Sequence, residues 1–175
     1  MCHSPRILLF TGDGKGKSTA AFGMLLRAMG HGMKTCVIQF IKGNADVGEI
    51  LALPRLHQVE ILQAGLGFLP KPGDPAIAEH RAAAEAGLRK AQEVIEAARY
   101  DLVILDEICV AVQRGLLNET DVIAAVRRAR PGSCVVLTGR GATAGLIELA
   151  DTVTEMRCLK HAMQNGIRAQ KGVEL

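Results

Sequence analysis

Aromatic side chains are scarce in this sequence: they make up 3 % of its 175 residues, and tryptophan is absent. Proteins that bind single-stranded nucleic acid stack the bases on such rings, and nucleic-acid-binding proteins usually carry a dense basic patch. Here the formal net charge is only +3. The tightest basic cluster falls at a predicted helix end, where cations interact favourably with the helix dipole: Arg127, Arg128 and Arg130. The sequence therefore indicates no nucleic-acid partner.

Long apolar runs and paired cysteines are missing as well. No run reaches the length of a membrane-spanning helix, and residues 1–6 are too short and too polar for a signal peptide. The five cysteines show no CxxC spacing, which argues against both a zinc site and a disulfide framework: Cys2, Cys36, Cys109, Cys134 and Cys158. We therefore expect a protein of the reducing cytoplasm that does not contact a membrane.

Aliphatic residues dominate the composition, and hydrophobic residues reach 49 % of the chain. Short β-branched runs alternate with longer helical stretches, a pattern typical of a parallel sheet whose strands are joined by helical crossovers. The predicted strands are residues 7–11, 35–41, 59–63, 102–106, 134–138 and 152–156. Residues 1–175 are therefore predicted to form one α/β domain with helices on both faces of a mostly parallel sheet.

Four helices are predicted, over residues 17–29, 75–98, 118–128 and 144–150. Gly30 is placed to end the first, and Asp74 to cap the second. The second helix has one apolar stripe, formed by Ile77, Ala84, Leu88, Ala91, Ile95 and Ala98. Residues 43–56 and 64–73 show no sustained pattern. We expect loops there, near the carboxyl edge of the sheet where ligands bind in such folds.

The first predicted strand runs directly into Thr11-Gly-Asp-Gly-Lys-Gly-Lys-Ser18, and a helix follows at once. In a P-loop, glycines let backbone amides point at phosphate oxygens, the lysine reaches the terminal phosphates and the serine hydroxyl binds Mg²⁺. The sequence departs from the usual pattern at Thr11, where glycine is expected. A glycine-rich surface turn is the alternative. The residues predicted to cradle a triphosphate are Gly12, Asp13, Gly14, Lys15, Gly16, Lys17, Ser18 and Thr19.

A second apolar run, residues 102–107, ends in Asp106 and Glu107 and has the form of a Walker B strand. Carboxylates at the end of a buried strand beside a P-loop can hold Mg²⁺ directly or through water. Taken alone, two acids at the end of a strand are equally well explained as solvent-exposed residues with no metal-binding role. Together with the P-loop they predict a Mg²⁺ site made by Ser18 with one of the two acids, in a P-loop NTPase-like (RecA-like) fold.

Longer motifs resemble the P-loop type of cobalamin (corrinoid) adenosyltransferases. The resemblance rests on the extended P-loop, Thr11 to Gly23, and on several blocks that follow it in order: Val37-Ile-Gln-Phe-Ile-Lys-Gly43, Leu105-Asp-Glu107, Arg130-Pro131, Leu137-Thr-Gly-Arg-Gly141, Ala150-Asp-Thr-Val-Thr-Glu-Met-Arg157 and Lys160-His161-Ala162. It covers almost the whole chain. Its weakest stretch is residues 64–74, where the family usually carries two aromatics; Phe68 matches the first and Pro70 replaces the second.

The resemblance implies a specific reaction. Reduced cobalamin, or a precursor corrinoid, would attack the ribose 5′-carbon of MgATP, displace tripolyphosphate and become adenosylated. Lys17, the loop amides and Mg²⁺ would stabilise the leaving group, while Arg140 either holds phosphate or is an ordinary surface arginine. Phe68 would press on the lower face of cob(II)alamin and ease its reduction; burial under a helix is its alternative. Lys160 and His161 match a block near the corrinoid, although a solvated tail explains them better.

The resemblance further implies a homodimer and a flavoprotein or other reductant as partner, and it leaves the identity of the corrinoid open. Two other functions remain compatible with the motifs. In a small-molecule kinase or NTPase, Glu107 and Arg140 could act as base and arginine finger. The other possible function is that of a nucleotide-gated carrier that catalyses no reaction, although no charge run or amphipathic stripe suggests a docking face.

Overall fold

The computed structural model describes residues 4–43, 48–71 and 73–173. Residues 1–3, which include Cys2, lie outside the described residues. So do residues 44–47 of the first unpatterned segment and Pro72 of the second. In the part of the chain that is described, no helix has the length and apolar character needed to cross a membrane.

Six strands form one sheet in which every pairing is parallel. They are β1 (Arg6–Thr11), β2 (Thr35–Gln39), β3 (Val59–Gln63), β4 (Leu102–Asp106), β5 (Cys134–Thr138) and β6 (Thr152–Glu155). Their order across the sheet is β3-β2-β4-β5-β1-β6. The predicted parallel α/β architecture is confirmed, and β1 lies beside β5 rather than beside β4, so one strand separates the P-loop strand from the acidic strand.

The helices are α1 (Lys17–Gly30), α2 (Gly48–Ala52), α3 (Ile77–Glu96), α4 (Ile108–Gln113), α5 (Glu119–Val126) and α6 (Ala144–Leu149). Short 3-10 turns cover Leu53–Arg55 and Ala162–Asn165. One face of the sheet packs against α1 through a core that includes Leu25, Val37 and Ile104. The other face packs against α3 to α6. Helices therefore cover both faces, as predicted, and the central strands β2 and β4 are buried at every position.

Several boundaries differ from the predictions. The strand predicted for residues 35–41 ends at Gln39, and the one predicted for 152–156 ends at Glu155. Helix α1 continues through Gly30, and the positive φ that follows it is at Gly32, 71°. Helices α2 and α4 were not predicted. Both are short, and short helices carry too few turns for a periodic signal.

Helix α3 begins at Ile77, after the Asp74 carboxylate has accepted a 2.9 Å hydrogen bond from the Ala76 amide. Its buried stripe is Ala84, Gly87, Leu88, Ala91, Val94 and Ile95. The prediction that Ala98 belongs to this stripe is wrong: Ala98 is exposed and has φ of 53°, because the helix has already ended at Glu96.

The basic cluster follows the end of α5, as expected. Arg128 pairs with Glu96, and Arg130 lies 2.9 Å from Asp101. These arginines therefore join surface elements by ion pairs.

Candidate functional site

The loop between β1 and α1 has the geometry of a phosphate cradle. Gly12 and Gly16 have φ of 92° and 121°, values that side chains rarely adopt. The Gly14 amide donates a 2.7 Å hydrogen bond to the Met156 carbonyl, at the end of β6. A Cβ on Gly12 would lie only 2.4 Å from the same oxygen, so this loop needs glycine for its close approach as well as for its dihedral angles.

Thr11, which stands where P-loops usually have glycine, has a structural role. It is buried, and its hydroxyl accepts a hydrogen bond of 3.3 Å from the Ala142 amide. The side chain thus joins the start of the phosphate loop to the segment that follows β5.

Lys17, the first residue of α1, is buried and folds back over the loop. Its ammonium donates to the carbonyls of Gly12 and Gly14, at 2.7 and 2.6 Å. Burial lowers the pKa of Lys17, and Arg140 adds to this effect, while Glu107 and Asp13 oppose it. Carbonyl oxygens are neutral acceptors, so an anionic phosphate would be a stronger partner for the same ammonium.

Asp106 ends β4 and is fully buried. One carboxylate oxygen accepts hydrogen bonds from Ser18 (2.7 Å) and from Thr138 (2.8 Å). The other accepts from Gln39 (3.3 Å) and forms an ion pair with Lys42 (3.1 Å). Four strand ends or adjoining loops therefore meet at this carboxylate, since the carboxyl ends of parallel strands share one edge of the sheet.

Glu107 differs from its neighbour in position and environment. It has φ of 62°, and its amide donates a 2.9 Å hydrogen bond to the Thr138 hydroxyl. It is half-buried and lines the cleft above the P-loop. Burial and the charge of Asp106 raise the pKa of Glu107, while Lys42, Lys17 and Arg140 oppose the shift. The turn at Glu107 thus points the second acid away from the buried floor occupied by the first.

A cleft of about 580 Å³ opens over the P-loop. Of the predicted site residues, those that line it are Gly14, Lys15, Gly16, Lys17, Ser18, Thr19, Glu107 and Arg140. Arg140 is exposed and sits between Gly139 and Gly141, whose φ values are 137° and 65°. Gly139 packs so closely on α4 that a Cβ would lie 2.9 Å from that of Cys109. Gly12, Asp13 and Asp106 are not among its lining residues: the first two adjoin Gly14 in the chain, and Asp106 is buried in contact with Ser18.

Phe68 lies apart from this cleft, on the loop after β3, and is fully exposed. The alternative that it is buried under a helix is therefore wrong. Its loop is nevertheless connected to the site, because the Gly67 amide donates a 2.9 Å hydrogen bond to the Ile41 carbonyl, next to Lys42.

Several residues of the site were not predicted from the sequence. Lys42, Gln39 and Thr138 contact Asp106. Lys42 follows a predicted strand and Thr138 ends one, which is the signal that could have identified them. Gln39 lies inside the strand predicted for residues 35–41 and ends β2 only because that strand is shorter than predicted. His161, for which a solvated tail was favoured, is half-buried and lines the cleft, whereas Lys160 is exposed. The Lys15 ammonium contacts the Val173 carbonyl, so the C-terminal residues form part of the cleft wall.

Comparison with known proteins gives a consistent result. Residues 3–175 match the model of a family described as ATP:corrinoid adenosyltransferase BtuR/CobO/CobP. A corrinoid adenosyltransferase from Pseudomonas aeruginosa is 47 % identical over 170 residues, which cover 96 % of this chain and 82 % of that protein. Corrinoid adenosyltransferase CobA from Salmonella typhimurium is 39 % identical, with 96 % and 84 % covered.

Among solved structures, a KaiC-like protein from Pyrococcus horikoshii aligns with a TM-score of 0.57 at 16 % identity, covering 87 % of this chain and 71 % of that one. At that identity the likeness concerns the fold alone.

Proposed function

This chain belongs to the ATP:corrinoid adenosyltransferase family, and we infer that it transfers the 5′-deoxyadenosyl group of ATP to the cobalt of a reduced corrinoid, with release of tripolyphosphate. It is thus a transferase of adenosylcobalamin synthesis. The observation that carries this conclusion is the family match over residues 3–175, which includes every element of the cleft described above. We further propose that residues 1–175 act as one domain of the cytoplasm.

The proposed work of the protein is to hold and neutralise the leaving group. Negative charge accumulates on tripolyphosphate as the carbon–oxygen bond breaks, and preorganised donors stabilise such charge. Lys17 and Arg140 are the proposed cationic contacts, with the amides of the loop from Gly12 to Thr19. No side chain is needed as nucleophile, because the reduced cobalt supplies the electron pair.

The residues at the floor of the cleft fit Mg²⁺. Mg²⁺ prefers oxygen ligands and retains several waters, and here a hydroxyl and two carboxylates lie together at the end of the P-loop. We propose that Ser18 and Glu107 face the ion. Both oxygens of Asp106 already accept hydrogen bonds from protein groups, which favours contact through water for this acid. Mg²⁺ would supply positive charge beside the triphosphate.

On the corrinoid side, we propose that Phe68 contacts the lower face of cob(II)alamin. A fully exposed phenyl ring on a loop is available to a large apolar ligand, and Leu66 on the same loop is also largely exposed. Contact there would displace the lower cobalt ligand, which removes electron donation and eases reduction. A flavoprotein or other reductant and a second copy of the chain are the proposed partners.

Formation of the cobalt–carbon bond tests the proposed function. Chemically reduced cob(I)alamin is mixed with MgATP and the protein in the dark, and the product is followed by its absorption spectrum. The expected product loses its adenosyl group on exposure to light. A corrinoid spectrum that stays unchanged with folded protein and MgATP would contradict the function.

A further inference from the structure

Lys42 lies in the Gln-Phe-Ile-Lys-Gly block, but no role was predicted for it from the sequence. It follows β2 and lines the cleft, with 30 % of its side chain exposed. Its ammonium lies 3.1 Å from one Asp106 oxygen and 3.4 Å from the Ser18 hydroxyl oxygen. The ammonium therefore bridges two of the groups proposed to hold Mg²⁺.

The hydrogen bonds of Ser18 determine which part of its hydroxyl group is available to a cation in the cleft. Its hydroxyl donates its proton to Asp106, so only its oxygen lone pairs face the cleft. One of them accepts from Lys42. Mg²⁺ bound to Ser18 would need a lone pair of the same oxygen, at a distance of about 2.1 Å. The ammonium and the metal ion therefore compete for one position.

The buried negative charge of Asp106 requires a cation beside it before the substrate binds. A fully buried carboxylate is costly unless it is paired and hydrogen-bonded. Lys17 is turned toward the loop carbonyls instead. Burial alone would lower the pKa of Lys42, but the charge of Asp106 and the hydrogen bond to it, with smaller effects of Glu49 and Glu107, raise it above its usual value.

The backbone beside Lys42 is held in place by close contacts. A Cβ on Gly65 would lie 2.2 Å from the Ile41 carbonyl carbon, and one on Gly43 would lie 2.7 Å from the Gly65 carbonyl oxygen. The Phe40 amide also donates a 3.0 Å hydrogen bond to the Asp106 carbonyl. A fixed backbone with a long, unbranched side chain lets the ammonium leave Asp106 without moving the loop.

We propose that Lys42 is a positioning residue that takes the place of Mg²⁺ between Ser18 and Asp106 in the nucleotide-free protein, and that binding of MgATP displaces its ammonium into the cleft. This inference rests on the Mg²⁺ site of the proposed function. It gives the nucleotide-free site a built-in counter-ion, which keeps Asp106 neutralised and opposes binding of Mg²⁺ without its nucleotide.

Thermal unfolding with MgCl₂ alone tests the proposal without any measurement of activity. The variants are Lys42→Met, which removes the charge at similar length, and Lys42→Arg, which retains it. A ligand that binds only the folded state raises the unfolding temperature. Wild type and Lys42→Arg should respond weakly to Mg²⁺ alone, whereas Lys42→Met should bind it about tenfold more tightly or better, a change worth about 1.4 kcal/mol. Lys42→Met/Asp106→Asn should lose this response, because the buried charge is gone.

The possible outcomes distinguish failure of the Lys42 proposal from failure of the Mg²⁺ site. Equal responses of wild type and Lys42→Met to Mg²⁺ alone would overturn the role of Lys42 but leave the site. If wild type is stabilised by ATP equally in EDTA and in MgCl₂, and no variant responds to Mg²⁺, both the site and the inference fail. Should Lys42→Met be unfolded in EDTA, Mg²⁺ is expected to restore its folding, and failure to do so would also overturn the proposal.

Discussion

The Ser18 hydroxyl donates a 2.7 Å hydrogen bond to the Asp106 carboxylate and so joins the P-loop to the end of β4, across 88 positions of the chain. Thr138, from the strand that lies between β1 and β4, donates to the same oxygen at 2.8 Å. The two sequence motifs are therefore one site, held together by a strand that belongs to neither.

Lys17→Ala should reduce turnover by a factor on the order of a hundred or more, because the variant lacks the ammonium proposed to stabilise the leaving tripolyphosphate. The measurement is the rate of adenosylcobalamin formation with saturating MgATP. Lys90→Ala is the matched control, since Lys90 is an exposed lysine on α3 whose partner is Glu93. Wild-type turnover by a folded Lys17→Ala protein would contradict the role of the P-loop.

The two acids should respond differently to loss of charge. Asp106→Asn should lower the free energy of unfolding by on the order of 3 kcal/mol, because it breaks a buried ion pair. Glu107→Gln should change it by about 1 kcal/mol or less, since its carboxylate faces the cleft. Both variants should need more Mg²⁺ for half-maximal rate. Urea unfolding and Mg²⁺ titrations measure these effects, and an unchanged Mg²⁺ requirement in both would remove β4 from the metal site.

Phe68→Ala should slow adenosylation strongly when cob(II)alamin and a mild reductant are supplied, and much less when cob(I)alamin is prepared chemically. The difference is expected because Phe68 is proposed to act on reduction, which the second assay bypasses. Loss of a fully exposed side chain should alter stability by only about 0.5 kcal/mol. Leu66→Ala, on the same loop, is the control for general loss of apolar surface. Equal slowing of Phe68→Ala in both assays would exclude a role in reduction.

Gly65→Ala and Gly23→Ala should change stability in opposite directions. A Cβ at Gly65 would collide with the Ile41 backbone, and such overpacking costs about 1–3 kcal/mol. A Cβ at Gly23, inside α1, would meet no atom within 4 Å, and alanine in a helix gains roughly 0.5–1 kcal/mol over glycine. Urea unfolding measures both changes; a stabilised Gly65→Ala protein would show that the two loops do not fit tightly.

The sequence predicted sharply bounded strands better than short helices. Strands β3, β4 and β5 were placed with their observed bounds, because each apolar run ends in a polar residue that marks the carboxyl end of the strand. Helix α4 was missed since Ile108–Gln113 is short, and because a left-handed turn at a glutamate, here Glu107, has no sequence signature. For the same reason the sequence could not distinguish the orientations of Asp106 and Glu107.

The contacts of Lys42 with the rest of the site could not be predicted from the sequence. Lys42 is 64 residues from Asp106 in the chain, and their ion pair depends on β2 lying beside β4. Strand order is a property of the packed sheet and cannot be read from alternating elements alone. By contrast, the P-loop was predictable because its glycines, lysine and serine act within one short segment.

The phosphate product of the reaction tests the central claim most directly. The protein is incubated with MgATP labelled in the γ-phosphate, with and without chemically reduced cobalamin, and the labelled products are separated by ion exchange. Adenosyl transfer predicts tripolyphosphate only when corrinoid is present, in an amount equal to the adenosylcobalamin formed. Hydrolysis would instead place the label in inorganic phosphate, and phosphoryl transfer would place it in the acceptor; both leave unlabelled ADP, which is measured in parallel. Formation of these products in place of tripolyphosphate would contradict the account and indicate an NTPase or a kinase.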